Sequence, residues 1–195
     1  MLNENGRILL ISEIRPLTCG NATSTHIMTA NLLRGMKSCN KNIFFLAICQ
    51  HEDEAGDIEL YYRKHVNEVI VLHSFFGSDL GKYQQLFKIL RGTFLQGNYA
   101  NELKVKYSFD KKPELIISLA PSFETILYGE ILKRIYPDVP FYEYWSDPVT
   151  LSGITPDDYS IKRLPFKWAE RKALKKADRI IYGLLSLCAV GTQRP

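Results

Sequence analysis

Short, almost continuous apolar runs recur along this chain, and stretches of helical periodicity separate them. Arg7 to Glu13 (RILLISE), Asn42 to Cys49 (NIFFLAIC), Val69 to Leu72, Glu114 to Leu119, Phe141 to Trp145 and Arg179 to Tyr182 each read as a strand. A strand with one wet face alternates apolar and polar residues, whereas a run that is apolar at nearly every position is buried on both faces. Strands of that kind, alternating with helices, point to right-handed crossovers and a parallel sheet. The expected class is α/β: a Rossmann-like, mostly parallel sheet with helices on both faces.

The segments between the strands carry the punctuation such a fold needs. Residues 14–22 hold Pro16, Gly20 and Asn21, all turn-formers. Thr23, Ser24 or Thr25 can cap a following helix whose apolar positions are Ile27, Ala30, Leu33 and Met36. A polar, acidic segment with Glu52, Asp53, Glu54 and Asp57 follows the second strand. Residues 73–110 suggest helix broken at Gly92 and Gly97, with a second helix over residues 99–107. A helix over residues 122–136 is stopped by Pro137, and a basic helix is expected over residues 161–176. In parallel sheets ligands sit beyond the carboxyl ends of the strands, so residues 14–22, 120–122 and 146–153 matter most.

Composition excludes several classes. In 195 residues, 46% are hydrophobic and 24% charged, ordinary values for a globular chain, and no stretch approaches the ~20 apolar residues of a membrane span. The start of the chain has polar Asn3, Glu4 and Asn5 ahead of a short strand, unlike a secretory signal. A net charge of +4 is too weak to argue for nucleic acid. Cys19, Cys39, Cys49 and Cys188 form no CxxC pair and have no His at zinc-ligand spacing, so free thiols in a reducing cytoplasm are expected and no metal is. A dinucleotide fold needs GxGxxG after the first strand, and here that loop has Gly20 alone. Gly35-Met36-Lys37-Ser38 lacks the P-loop arrangement, and neither GxSxG nor HExxH occurs.

Four features, in order, resemble glycosyltransferase family 4, in the N-terminal domain of its GT-B fold. RILLISE leads into a Pro/Gly loop; HIMTANLL (His26 to Leu33) resembles the first-helix pattern; PELIISLAP, FETILYGEILKRIY and PFYEYWSDP resemble the fourth and fifth strand units. WAERKALKKADRII resembles the Glu-Arg-x-x-Leu-x-x-Ala-Asp segment that closes that domain. The match covers residues 7–182, and 183–195 is a non-matching tail. Two departures stand out: Cys19-Gly20-Asn21 replaces a common glycine pair, and the helix His is offset by about one residue.

The resemblance implies one half of a GT-B architecture, an acceptor-side domain of a retaining glycosyltransferase in polysaccharide biosynthesis. A nucleotide-sugar is then a substrate, no cofactor or metal is required, and the acceptor is a glycan or a lipid-linked glycan. The C-terminal donor domain is expected to be missing from this chain, which is then inactive alone. Gly20 can approach a donor diphosphate through backbone amides and the following helix N-terminus or be a plain loop glycine, and Asn21 and Thr23 can add polar contacts or merely cap the helix. Asp147 follows the fifth strand and can act as a base or orient an acceptor hydroxyl; the alternative is turn chemistry before Pro148. His26 can face the acceptor or be structural. Trp145 can stack on a sugar or pack in the core. The basic helix, through Lys167, Arg171 and Lys175, can meet an anionic lipid surface, making the protein cytoplasmic with a peripheral contact at the inner membrane face; a solvated outer face is the alternative. The competing functional class is a non-enzymatic α/β module that binds a ligand or a protein.

Overall fold

The computed structural model describes residues 6–14, 24–39, 41–49, 51–74, 96–107, 112–120, 123–145 and 175–182. Within them, six strands form one sheet: β1 (Arg7–Glu13), β2 (Asn42–Cys49), β3 (Glu68–His73), β4 (Leu115–Ala120), β5 (Phe141–Trp145) and β6 (Arg179–Tyr182). The order is β3-β2-β1-β4-β5-β6, and every pairing is parallel. Four α-helices accompany them: α1 (Ser24–Ser38), α2 (Ala55–Arg63), α3 (Gln96–Lys106) and α4 (Phe123–Ile135). The Rossmann-like α/β class read from the apolar runs is the class observed.

The runs are apolar throughout because both sheet faces are covered. Leu9, Ile11, Phe44, Leu46, Ile70 and Ile116 point to one face, where Tyr99 and Leu103 of α3 and Leu127, Ile131 and Leu132 of α4 pack on them. Leu10, Ile43, Phe45, Ala47 and Leu119 point to the other, against Ala30 and Leu33 of α1 and Ile58 and Tyr62 of α2. Successive strand residues therefore belong to different cores, as a period of two requires. A third, smaller cluster joins Ile126 of α4, Trp145 of β5 and Ile180 of β6.

Register is fixed by a device used twice. Asn67, just before β3, donates its backbone N–H to Ile43 O and accepts the Ile43 N–H on Oδ1 at 2.8 Å. Asp178, just before β6, donates its N–H to Phe141 O and accepts the Phe141 N–H on Oδ2 at 2.7 Å. Each Asx side chain thereby satisfies an amide at the start of the neighbouring strand, the second residue of β2 and the first of β5. Lys133 of α4 also reaches the same Asp178 oxygen at 2.7 Å.

Four expectations need correction. The acidic segment after β2 is not simply a polar connection: Glu52–Glu54 is a 3-10 turn and α2 starts at Ala55. Its buried positions, Ile58 and Tyr62, are four apart, but neighbouring Asp57, Glu59 and Arg63 mask that period. Ile27 is not a core position of α1 but 51% exposed. The buried face runs through His26, Thr29, Ala30 and Leu33, because Thr29 has a polar partner on β1 that draws the helix round. Lys175 and Lys176 stand in a turn before β6 and not in a helix. α3 begins at Gln96, earlier than the aromatic residues suggested, with Gly97 inside it.

Candidate functional site

The strand order reverses direction at β1: β2 and β3 lie to one side, β4, β5 and β6 to the other. The connections leaving β1 and β4 therefore run to opposite faces, and in sheets of this kind the carboxyl ends at such a switch point are where a crevice for ligands forms. Two helices follow these strands. α1 begins at Ser24 on one side and α4 at Phe123 on the other, so both helix N-termini, with their partial positive charge, stand near this edge.

The rim is polar where the runs were read as apolar. Ser12 is fully buried near the end of β1. Its hydroxyl donates to the Glu13 carbonyl at 3.1 Å and meets the Thr29 hydroxyl of α1 at 3.2 Å. Either hydroxyl can be the donor in that second contact. His26, one turn earlier on α1, is buried on the same helix face. Glu124, in the first turn of α4, is also buried and accepts the Tyr99 hydroxyl at 3.0 Å. A carboxylate in the first turn of a helix is favoured by the macrodipole.

Behind Glu124 the polar chain continues toward β3. The Tyr99 ring meets Tyr128 edge-on at 5.1 Å. Tyr128 donates to Glu102 at 2.6 Å, and Glu102 also receives the His73 N–H at 2.9 Å and Lys106 at 3.1 Å. Burial first, and then the adjacent carboxylates, push both phenols far above their ordinary range, so they remain donors. This network ties α3, α4 and the end of β3 into one rigid wall beside the crevice.

Of the residues singled out from sequence, His26, Trp145 and Lys175 lie among the described ones. Gly20, Asn21, Thr23, Asp147, Lys167 and Arg171 lie outside them, as do residues 161–174 of the segment expected to form a basic helix. Trp145 is 1% exposed, packs against Ile126 and Ile180, and donates its ring N–H to Glu143 at 2.9 Å. That is the core-packing alternative. Lys175 is exposed. Cys39 and Cys49 are free thiols, Cys39 exposed and Cys49 buried. Among the described residues, no three His, Cys, Asp or Glu side chains are grouped to hold a metal ion, and no helix is long and apolar enough to cross a membrane.

Sequence reasoning passed over Ser12, Thr29, Glu124 and Glu143. The signal was present in part: Ser12 and Glu143 are single polar residues inside apolar strands, where an unpaired polar group is costly.

No protein-family model matches the chain. No curated protein matches it. Solved structures do. The N-terminal domain of trehalose-6-phosphate phosphatase from Candida albicans aligns with a TM-score of 0.54 at 13% identity, over 90% of this chain and 40% of that one. Two structures of the C-terminal domain of a hydrogenase from Pyrococcus furiosus align over 73% of this chain, with TM-scores of 0.44 and 0.45 and identities of 16% and 14%. They are covered over 93% and 94% of their length. At these identities the Candida domain shows a shared α/β fold and nothing finer.

Proposed function

We propose that this chain is the acceptor-side domain of a retaining, nucleotide-sugar-dependent glycosyltransferase of the GT-B type, similar to glycosyltransferase family 4. One observation carries the reading: the β1/β4 switch point in a wholly parallel sheet, with the family-like segments on the elements that frame it. RILLISE is β1, HIMTANLL lies on α1, and PELIISLAP and FETILYGEILKRIY supply β4 and α4. Gly20, Asn21 and Thr23 fall in residues 15–23, which separate β1 from α1 in sequence and lie outside the described residues. Asp147 follows β5 two residues beyond Trp145.

In this reading the donor diphosphate meets backbone amides around Gly20 and the N-terminus of α1, where oriented N–H groups stabilise a departing anion. His26 belongs to the acceptor side. Asp147 orients or deprotonates the acceptor hydroxyl. A single parallel sheet supplies one wall of such a site, so the second wall comes from a separate donor-binding unit. Lys167, Arg171 and Lys175 provide the contact with anionic lipid when the acceptor is lipid-linked.

Ligand-observed NMR with UDP, GDP and simple alkyl glycosides tests the reading, together with an assay of sugar transfer and nucleotide-sugar hydrolysis. Weak binding of a nucleotide or a glycoside with no turnover is expected. Robust turnover by this chain alone contradicts the half-site reading, and absence of binding to every probe contradicts the glycosyltransferase reading.

A further inference from the structure

Beneath α4 the sheet buries polar side chains that the candidate rim does not use. Glu143 lies mid-way along β5, on the same face as Phe141 and Trp145, and is 0% exposed. Its Oε2 accepts the Trp145 ring N–H at 2.9 Å. Its Oε1 is buried with no hydrogen-bond partner among the described residues. The neighbour in register on β4 is Ser118, equally buried, and its hydroxyl is unpartnered too. Adjacent strands lie ~4.8 Å apart, so register partners such as these stand side by side on one face of the sheet.

Among the described residues, the charged surroundings come from one side. On β6 the register neighbour is Ile180, which is uncharged. On α4, Glu130 is 2% exposed and acts on Glu143 through its charge. Arg134, largely in solvent, approaches Glu130 at 3.7 Å. A carboxylate at Glu143 is thus desolvated, close to a second carboxylate, and supported by a single indole donor, a poor setting for a charge. A neutral carboxylic acid suits it better. Its carbonyl oxygen keeps the Trp145 N–H, and it gains an O–H donor beside the hydroxyl of its register neighbour Ser118.

We propose that Glu143 is a proton-operated latch on the carboxyl end of β5. Neutral, it links Trp145 and Ser118 in one hydrogen-bonded chain across β4 and β5. Ionised, it sets a second buried negative charge against Glu130 and loosens the strand end that Trp145 closes. The inference stands on the core alone and is independent of the glycosyltransferase reading.

The sign of the pH effect follows. Burial first, then the charge of Glu130, raise Glu143 from 4.5 to about 7, against the pull of the Trp145 bond. The folded state therefore holds this proton more tightly than the unfolded chain does. The stabilisation is complete below the unfolded value, declines as pH rises, and is gone above about 7.

The test is a pH series of the whole chain, with urea unfolding and indole N–H NMR, in a Trp168→Phe background that leaves Trp145 as the one indole. The folding equilibrium constant is expected to fall about 25-fold between about pH 5.5 and about pH 8. The Trp145 indole resonance should shift with a midpoint near neutrality. Glu143→Gln, which stays neutral and retains an acceptor for Trp145, should lose both effects and be the more stable protein at the higher pH. Glu130→Gln supplies a second arm if Glu143→Gln fails to fold: removing the neighbouring charge should move the Trp145 midpoint to lower pH. An indole resonance that does not titrate, a pH dependence unchanged in Glu143→Gln, or a midpoint unmoved in Glu130→Gln would overturn the proposal.

Discussion

Gly129 sits on α4 where that helix crosses the start of β5. A Cβ at this position would lie 2.4 Å from Cζ of Phe141, a ring that is itself fully buried. The absent side chain is what lets helix and sheet approach, and interiors are packed too densely for the ring to step aside freely. Gly129→Ala is therefore expected to destabilise the protein by about 1–3 kcal/mol, despite the better helix propensity of alanine. Urea unfolding measures it, and Phe141→Leu in the same chain should restore part of the loss. The contrast with Gly35 and Gly56 is instructive, because a Cβ at either meets nothing within 4 Å. Nothing in the sequence distinguishes these three helical glycines, since the difference lies in what packs on them from far along the chain. Ser12 and Glu143 were more legible, as lone polar residues in apolar strands, but their partners Thr29 and Trp145 emerge from the packing of elements.

The paired Asx residues act at the level of elements. Asn67 and Asp178 each close a strand entry by accepting an amide in the first two residues of the strand beside it. Asn67→Ala leaves the Ile43 N–H without its side-chain acceptor, which should cost about 1–3 kcal/mol in equilibrium unfolding and weaken protection of the β2/β3 edge in hydrogen exchange. Asp178 adds a charge. Burial opposes its ionisation, but hydrogen bonds from Lys133 and from Phe141 N, with the charge of Lys133, prevail and hold it below the ordinary aspartate value. A lowered folded value means that the contribution is present above the unfolded aspartate range of ~4 and fades as acid protonates the group. Asp178→Asn should cost about 1 kcal/mol or less at neutral pH, because Asp178 is 45% exposed, and the difference from wild type should vanish in acid. The Ala-Asp pair that resembled a family signature thus has a structural task here: Ala177 packs on the core and Asp178 sets the register of β6. The central strands β1, β2 and β4 were legible because double burial leaves a continuous apolar record, and the edge strand β6 was legible through Ile180 and Ile181 although Ile181 is 41% exposed. α2 was not, because only one narrow stripe of it is buried and charge dominates the rest.

At the scale of the molecule, the strand order decides where function can sit. A parallel sheet with β1 at its centre and crossovers running to both faces has one switch point, and the polar groups of Ser12, Thr29, His26 and Glu124 belong to the elements bounding it. The sequence pointed to the carboxyl edge through its loop glycine and prolines, but strand order is a long-range property that local periodicity does not encode. Hydrogen–deuterium exchange of the whole chain, with and without a nucleotide-sugar and an alkyl glycoside, tests the placement most directly. The account predicts added protection at residues 11–14, 24–30 and 117–120, with no change near Tyr107 and Tyr136, which join the ends of α3 and α4 away from this rim. Protection confined to Tyr107 and Tyr136, or to the outer faces of α1 and α2, would contradict it.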